Sequence, residues 1–270
     1  MKEEMNTSKL TRVIEENRFQ AFSTFGKVPG GSLVVTEKMI RVIPPIQLPA
    51  PLCAWIFDAK LSQKNANEEV QGVIDHFEQR GNPLVWETGP TTRPRQLGRV
   101  LKAQGMEHLF DLAGMALDLE ELKNHNVPTG LVTKSVDTRD KLRAWAHAFR
   151  ESFELPSWSG SGIAEVISAA WKESGGKWHH YIGTIDEAPV ASSSMYLDQG
   201  IAGIYFVGTV PSARKRGIGT WMTLRALQEA HALGIRVSVL HAAPLAQNLY
   251  SRLGFKEYCK LGLYVLKLNV

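Results

Sequence analysis

Apolar positions along the chain follow two rhythms. Near the start Leu10, Val13, Ile14, Phe22 and Phe25 recur at helical spacing, Ser8 stands where it could cap the helix, and Gly26 and Gly30-Gly31 mark its expected end. Two β-like runs follow, Leu33 to Thr36 and Met39 to Ile43. A proline-bracketed turn then leads to a short buried strand, Cys53 to Phe57. From Glu68 to Arg80 the residues Val70, Val73, Ile74 and Phe77 fall at i, i+3, i+4 and i+7, a helix closed by Gly81. Leu84-Val85-Trp86 reads as a strand and Gly89-Pro90 as a turn. Pro94 to Gln104 reads as a helix with Leu97, Val100 and Leu101 inward. Leu109 to Leu112 and Met115 to Leu119 read as two further strands. Glu120 to Gly130 is polar and holds Pro128, so it is the natural linker.

The pattern then restarts. Leu131-Val132-Thr133 is a strand, and a helix beginning at Asp137 carries Leu142, Trp145, Ala146, Phe149 and Phe153 as one stripe, read here as core. A loop from Glu154 to Gly162 presents Trp158, and Ile163 to Trp171 forms a second helix. Tyr181 to Ile185 and Val190 to Leu197 make a hairpin about Asp186-Glu187, and Ile201 to Val210 is a third strand. A helix from Ile218 buries Met222, Leu224, Leu227 and Leu233 and stops at Gly234. A strand (Ile235 to Leu240), a short helix (Pro244 to Leu253) and a closing run (Leu261 to Leu268) complete the chain. The expected domains are therefore residues 1–127 and 128–270, of mixed α+β class.

Composition narrows the function classes. A chain of 270 residues with 44% apolar content suits two small globular domains. A net charge of +4 suits an anionic ligand, yet without a basic face or interleaved aromatics it is too weak to argue for nucleic acid, and none is expected. Cys53 and Cys259 lack metal-like spacing and read as two reduced thiols of a cytoplasmic protein, with no metal site expected. The charged start Met1-Lys2-Glu3-Glu4 is not a secretory leader, and no run of apolar residues is long enough to span a membrane.

The strongest chemical signal lies between the third strand and the following helix, in Arg214-Lys215-Arg216-Gly217-Ile218-Gly219-Thr220. Two glycines let backbone turn sharply and approach a ligand, because no Cβ intervenes. The helix start behind them offers unpaired N–H groups and a positive dipole end, and the three cations add charge. The stretch is a pyrophosphate cradle. Its spacing matches neither a Walker loop nor the dinucleotide fingerprint. It resembles the R/Q-x-x-G-x-G/A motif of the GNAT acyltransferase superfamily, with Arg214, Gly217 and Gly219 in the fixed places. Downstream, Ala246, Tyr250, Gly254 and Phe255 match the superfamily's second signature, N-x-x-A-x-x-x-Y-x-x-x-G-F, although Ala243 replaces its asparagine.

This resemblance covers residues 131–270 well and implies a central mixed, mostly antiparallel, splayed sheet flanked by helices. It implies acetyl-CoA as co-substrate, with the pyrophosphate on the Arg214–Thr220 amides and the pantetheine arm along Val207, Gly208, Thr209 and Val210. It also implies direct attack by an amine in a ternary complex, a backbone amide at or near Val207 polarising the carbonyl, and Tyr250 protonating the departing thiolate. The general base stays open: His241 ends the diverging strand and titrates near working pH, while Glu165, Asp198 or a water chain could serve. Trp158 and Ser193 are candidate acceptor contacts. A primary amine of a small molecule is the expected acceptor, and the protein a monomer or homodimer. A CoA-binding regulatory protein without turnover is the alternative, and a nucleic-acid-associated protein a third.

The first half reads as a faded copy of the second. Aligning Gly105-Met106 with Gly254-Phe255 places Leu112, Leu117 and Leu119 on Leu261, Leu266 and Leu268, and Leu101 in the place of Tyr250. Lys64-Asn65-Ala66-Asn67 stands where the cradle would be and contains no glycine. The copy keeps a core and lacks the anion site, so it is expected to bind no CoA.

Overall fold

The computed structural model describes residues 6–123 and 125–266. Leu268 and the first five residues, which entered the sequence reading, lie outside them. Contacts divide the chain into two compact units. One comprises the chain up to Gly114 with the C-terminal stretch from Tyr258; the other runs from Met115 to Glu257. The polar stretch from Glu120 falls inside the second unit.

In the first unit α1 (Thr7–Lys27) is capped by Asn6, whose side-chain oxygen accepts from the Lys9 amide at 2.9 Å, rather than by Ser8. The helix continues through Gly26 instead of ending there. That glycine is needed for close approach, since a Cβ would stand 2.6 Å from the Ser32 carbonyl oxygen. β1 (Ser32–Val35), β2 (Ile40–Ile43) and β3 (Ala54–Phe57) pair antiparallel in turn. α2 (Ala66–Glu78) then crosses to β4 (Leu84–Thr88), which lies parallel to β3. α3 (Leu97–Ala103) leads into β5 (Glu107–Asp118). The two strands expected here are one, because Gly114 is no turn: a Cβ on it would lie 2.9 Å from Ile14 Cγ2 and 2.5 Å from Cys259 Sγ. The C-terminal strand, Lys256–Leu266, pairs antiparallel with β4 and lies between β4 and β5.

The periodic positions of α2 (Val70, Val73, Ile74 and Phe77) are all buried and pack with Ile56, Trp86 and Leu101. From α1, Phe19 and Phe22 meet Trp55 and Phe57, with ring centroids 5.1–5.7 Å apart. Beyond Ile56 and Trp86 the parallel pair β3–β4 is stitched together again. The Arg93 amide donates to the Ala59 carbonyl at 2.8 Å and the Leu61 amide to the Arg93 carbonyl at 2.9 Å. Beside that closure, Glu15 accepts from the Thr91 amide and hydroxyl.

In the second unit β6 (Val132–Ser135) precedes α4 (Arg139–Ser152), capped by Thr138, and α5 (Gly160–Glu173). β7 (Trp178–Ile185), β8 (Ala188–Asp198) and β9 (Ile201–Thr209) follow, then α6 (Ile218–Ala232), β10 (Val237–Ala242) and α7 (Gln247–Arg252), after which the chain enters the strand Lys256–Leu266, β11, which from Tyr258 onward belongs to the first unit. The β7–β8 turn uses Asp186 at φ 48° and Glu187 at φ 65°, two left-handed residues as a tight hairpin requires. β6 to β9 pair antiparallel, β9 pairs parallel with β10, and the end of β5 flanks β10. Three antiparallel strands, a crossover helix and a parallel strand thus occur once in each unit. The aromatic stripe of α4 is core as expected, Trp145 stacking on Phe149 at 5.3 Å, except for Phe153, which is 39% exposed because the helix ends there. Among the described residues, no helix is long and apolar enough to cross a membrane.

Candidate functional site

The site grows from one divergence. β9 and β10 are in register from Ile201↔Val237 to Ile204↔Leu240, and the pairing ends there although both strands continue. At the same level β9 carries an extra residue against β8. Ser194 faces Tyr205 and Ser192 faces Gly208, so Phe206 and Val207 together oppose Ser193. Phe206 sits at φ 52°, a left-handed conformation unusual for a bulky residue and held by its surroundings. A bulge beside a parting of parallel strands removes backbone groups from the ladder and leaves them for a ligand. His241 is the first β10 residue beyond the pairing, and its ring stacks on Tyr205 at 6.0 Å.

The cradle follows directly. Lys215 at φ 63° and Gly217 at φ 78° are left-handed, so the loop folds into a concave run of amides that opens α6. Gly217 is the N-cap and no side chain caps it, so the amides of Ile218, Gly219 and Thr220 lack an intrahelical acceptor. Gly219 faces the end of β9 and α7: a Cβ there would lie 3.3 Å from Leu249 Cδ1 and 3.8 Å from Thr209 Oγ1. Thr209, Gly219 and the helix bearing Tyr250 therefore converge. Lys215 and Arg216 are exposed beside the loop, Arg216 reaching the Thr129 carbonyl at 3.4 Å.

Several expected residues do other work. Arg214 spends its guanidinium on protein, donating from Nε to the Thr209 carbonyl at 3.1 Å, and from Nη2 to the Ser152 carbonyl at 2.9 Å and to Glu154 at 2.8 Å. Gly208 is a glycine because α4 ends against it; a Cβ would lie 3.0 Å from Phe153 Cε2 and closer still to Ser152 Oγ. Val210 has both backbone groups engaged, its amide with the Val190 carbonyl and its carbonyl with the Ala213 amide, each at 2.9 Å. Ser193 is fully buried with its hydroxyl on the Met222 carbonyl at 3.1 Å, so it ties α6 to β8 instead of facing an acceptor. Ile218 is buried and has only its amide to offer.

Tyr250 lies on α7 with its ring 6.1 Å from Phe255, and burial pushes its phenol up to about 12. Asp198, one of the alternative bases, pairs with Lys177 at 2.7 Å at the hairpin end of β9, away from the bulge. Trp158 stands in a short 3-10 turn, Ser157–Ser159, and is 65% exposed. Sequence reasoning missed Phe206, Ser192 and Ser152. A bulge leaves no mark in periodicity, and Ser152 reads as an ordinary helix end.

Residues 131–243 match the family model of the acetyltransferase (GNAT) domain. This stretch is a GNAT domain. The mycothiol acetyltransferase of Mycobacteroides abscessus is 25% identical over 177 residues, 63% of this chain and 60% of that protein. The mycothiol acetyltransferase of Gordonia bronchialis is 27% identical over 190 residues, 67% of this chain and 62% of that protein. The chain thus matches less than two thirds of the length of either relative. Among solved structures, a GCN5-related N-acetyltransferase from Kribbella flavida shares the fold at TM-score 0.71 and 17% identity, covering 95% of both chains. A tandem GNAT protein from the clavulanic acid biosynthesis pathway does so at TM-score 0.58 and 14% identity, covering 84% of this chain and 78% of its own. Within the GNAT domain the cradle and the bulge belong to the matched stretch, whereas Tyr250 lies beyond it.

Proposed function

We propose that the protein is an acetyl-CoA-dependent N-acetyltransferase acting on a primary amine of a small molecule, with direct attack in a ternary complex. One observation carries the reading: the bulged, diverging β9 runs into an uncapped, glycine-opened helix start. Acetyl-CoA, when bound, supplies the activated acyl group as a thioester. The amides of Lys215 to Thr220 and the side chains of Lys215 and Arg216 suit its two linked phosphates. The β9 edge at Val207, Gly208 and Thr209 suits its amide-bearing arm. Val207 N–H stabilises the charge that develops on the thioester oxygen. Tyr250 keeps its proton throughout the working pH range and delivers it to the departing sulfur. His241, at the mouth of the divergence, takes the proton of the attacking amine. Trp158 offers the acceptor a flat apolar surface on a connection free to vary.

The N-terminal half is a degenerate copy that keeps the topology and has lost the opening. Its parallel strands are stitched shut by Arg93 with Ala59 and Leu61, which supports the view that it holds no CoA. The named relatives make the mycothiol system the first place to seek the acceptor. Calorimetry with acetyl-CoA tests the reading, followed by thiol release against a panel of amines. Heat and amine-dependent thiol support it. Binding with no release from any amine would instead favour a CoA-binding regulator, a reading motivated by Ala243 in place of the asparagine. No heat at millimolar acetyl-CoA would remove both.

A further inference from the structure

Three consecutive serines, Ser192 to Ser194, lie opposite the bulge, all fully buried and all with engaged hydroxyls. Ser193 holds α6, and Ser194 lies 2.7 Å from His180 Nδ1. Ser192 is different, because its Oγ donates to the carbonyl of Phe206, the left-handed residue of the bulge, at 2.9 Å. The Phe206–Val207 peptide is trans, so its carbonyl and its N–H lie in one plane and point in opposite directions. Fixing the Phe206 oxygen therefore fixes the heading of the Val207 N–H. A second contact acts on the strand facing that peptide. The carbonyl of Ser193, the residue facing both bulged positions, accepts from the Trp145 indole N–H at 3.0 Å. A side chain of α4 thus supplies a donor to the oxygen that a regular ladder would offer to β9.

We propose that Ser192 and Trp145 are positioning residues for acyl transfer: they hold the Phe206–Val207 peptide so that its N–H faces the thioester oxygen. The proposal rests on the acetyltransferase reading above. Neither side chain touches substrate; each acts through the bulge. Rotation of this one peptide would withdraw the donor while leaving the phosphate cradle, on a separate loop, intact.

The test compares Ser192→Ala, Ser192→Thr and Trp145→Phe with the parent protein by steady-state kinetics, acetyl-CoA calorimetry and the ¹⁵N resonance of Val207, which responds to hydrogen bonding at the preceding carbonyl. Ser192→Ala should lower kcat roughly tenfold or more, leave the acetyl-CoA Kd within about twofold and shift the Val207 resonance. Ser192→Thr, which keeps the hydroxyl, should restore both. Trp145→Phe should lower kcat in the same way with the Kd retained. An unchanged kcat in Ser192→Ala, an unmoved Val207 resonance, or a fall in kcat matched by an equal loss of acetyl-CoA affinity would overturn the proposal. Because the resonance is read without turnover, it judges the positioning separately. Absence of acetyl-CoA binding by the parent protein would instead remove the functional reading.

Discussion

The guanidinium of Arg214 donates to the backbone carbonyl of Ser152 across 2.9 Å, joining the first residue of the phosphate motif to the last turn of α4. The same side chain reaches the Thr209 carbonyl and Glu154. Its position at the head of a cationic run suggests a phosphate ligand, yet its bonds make it a clamp between the end of β9 and the start of the Trp158 connection.

Arg214→Lys is accordingly expected to behave like Arg214→Ala. An ammonium cannot reproduce the fork that spans two carbonyls and a carboxylate. Each variant should lose about 1–2 kcal/mol of stability, discounted for the half-exposed setting of the side chain. Denaturant melts measure this, and a lysine variant as stable as the parent would contradict the clamp.

Gly219→Val places branched carbons at the point where a Cβ already lies 3.3 Å from Leu249. The helix tolerates the residue, but the space between Thr209 and α7 closes. Acetyl-CoA affinity should fall at least tenfold, about 1.4 kcal/mol, with the melting temperature little changed. Calorimetry on the folded variant decides; unchanged affinity would mean the ligand does not pass this glycine.

Tyr250→Phe should leave acetyl-CoA affinity intact and reduce kcat by roughly 10²-fold, the lower range for loss of a general acid. With the phenol at about 12, Tyr250 stays protonated well above neutrality. The parent protein should therefore show no falling limb in kcat from this group between pH 6 and pH 10. A variant turning over at the parent rate would take the acid role away from Tyr250.

In the first unit, burial pushes the Glu15 carboxyl from its ordinary 4.5 to about 7, against the pull of its bonds from Thr91. Between those two values the folded chain holds a proton that the unfolded chain has released. Stability must then fall as pH rises from 4.5 to 7, by on the order of 3 kcal/mol in total, and level off above. Glu15→Gln should flatten this slope. Urea titrations across the window check it, and a parent protein with no such slope would show that Glu15 is ionised at no cost in the fold.

Much of the architecture was legible locally. The burial of Val70, Val73, Ile74 and Phe77 follows from their spacing in α2, and a sharp glycine turn was anticipated at the helix start, where Gly217 is left-handed. The failures share one cause. Gly26 and Gly114 read as breaks, whereas each is small because a distant segment packs against it: Ser32 in one case, Ile14 and Cys259 in the other. Ser193 read as a polar residue near substrate, but a helix that crosses over β8 takes its hydroxyl.

Taken alone, the order of residues determined the two rhythms of apolar positions, the mixed α+β class, the glycine-opened helix start and the tyrosine four residues before Gly254. These depend on backbone freedom and periodicity within a few neighbouring residues. Only the folded chain decided that Arg214 binds Ser152, that Ser192 pins Phe206, and that the parallel strands part in the second unit but are stitched shut in the first. Such contacts join groups dozens of residues apart, or set strand register, and packing chooses among their possible partners.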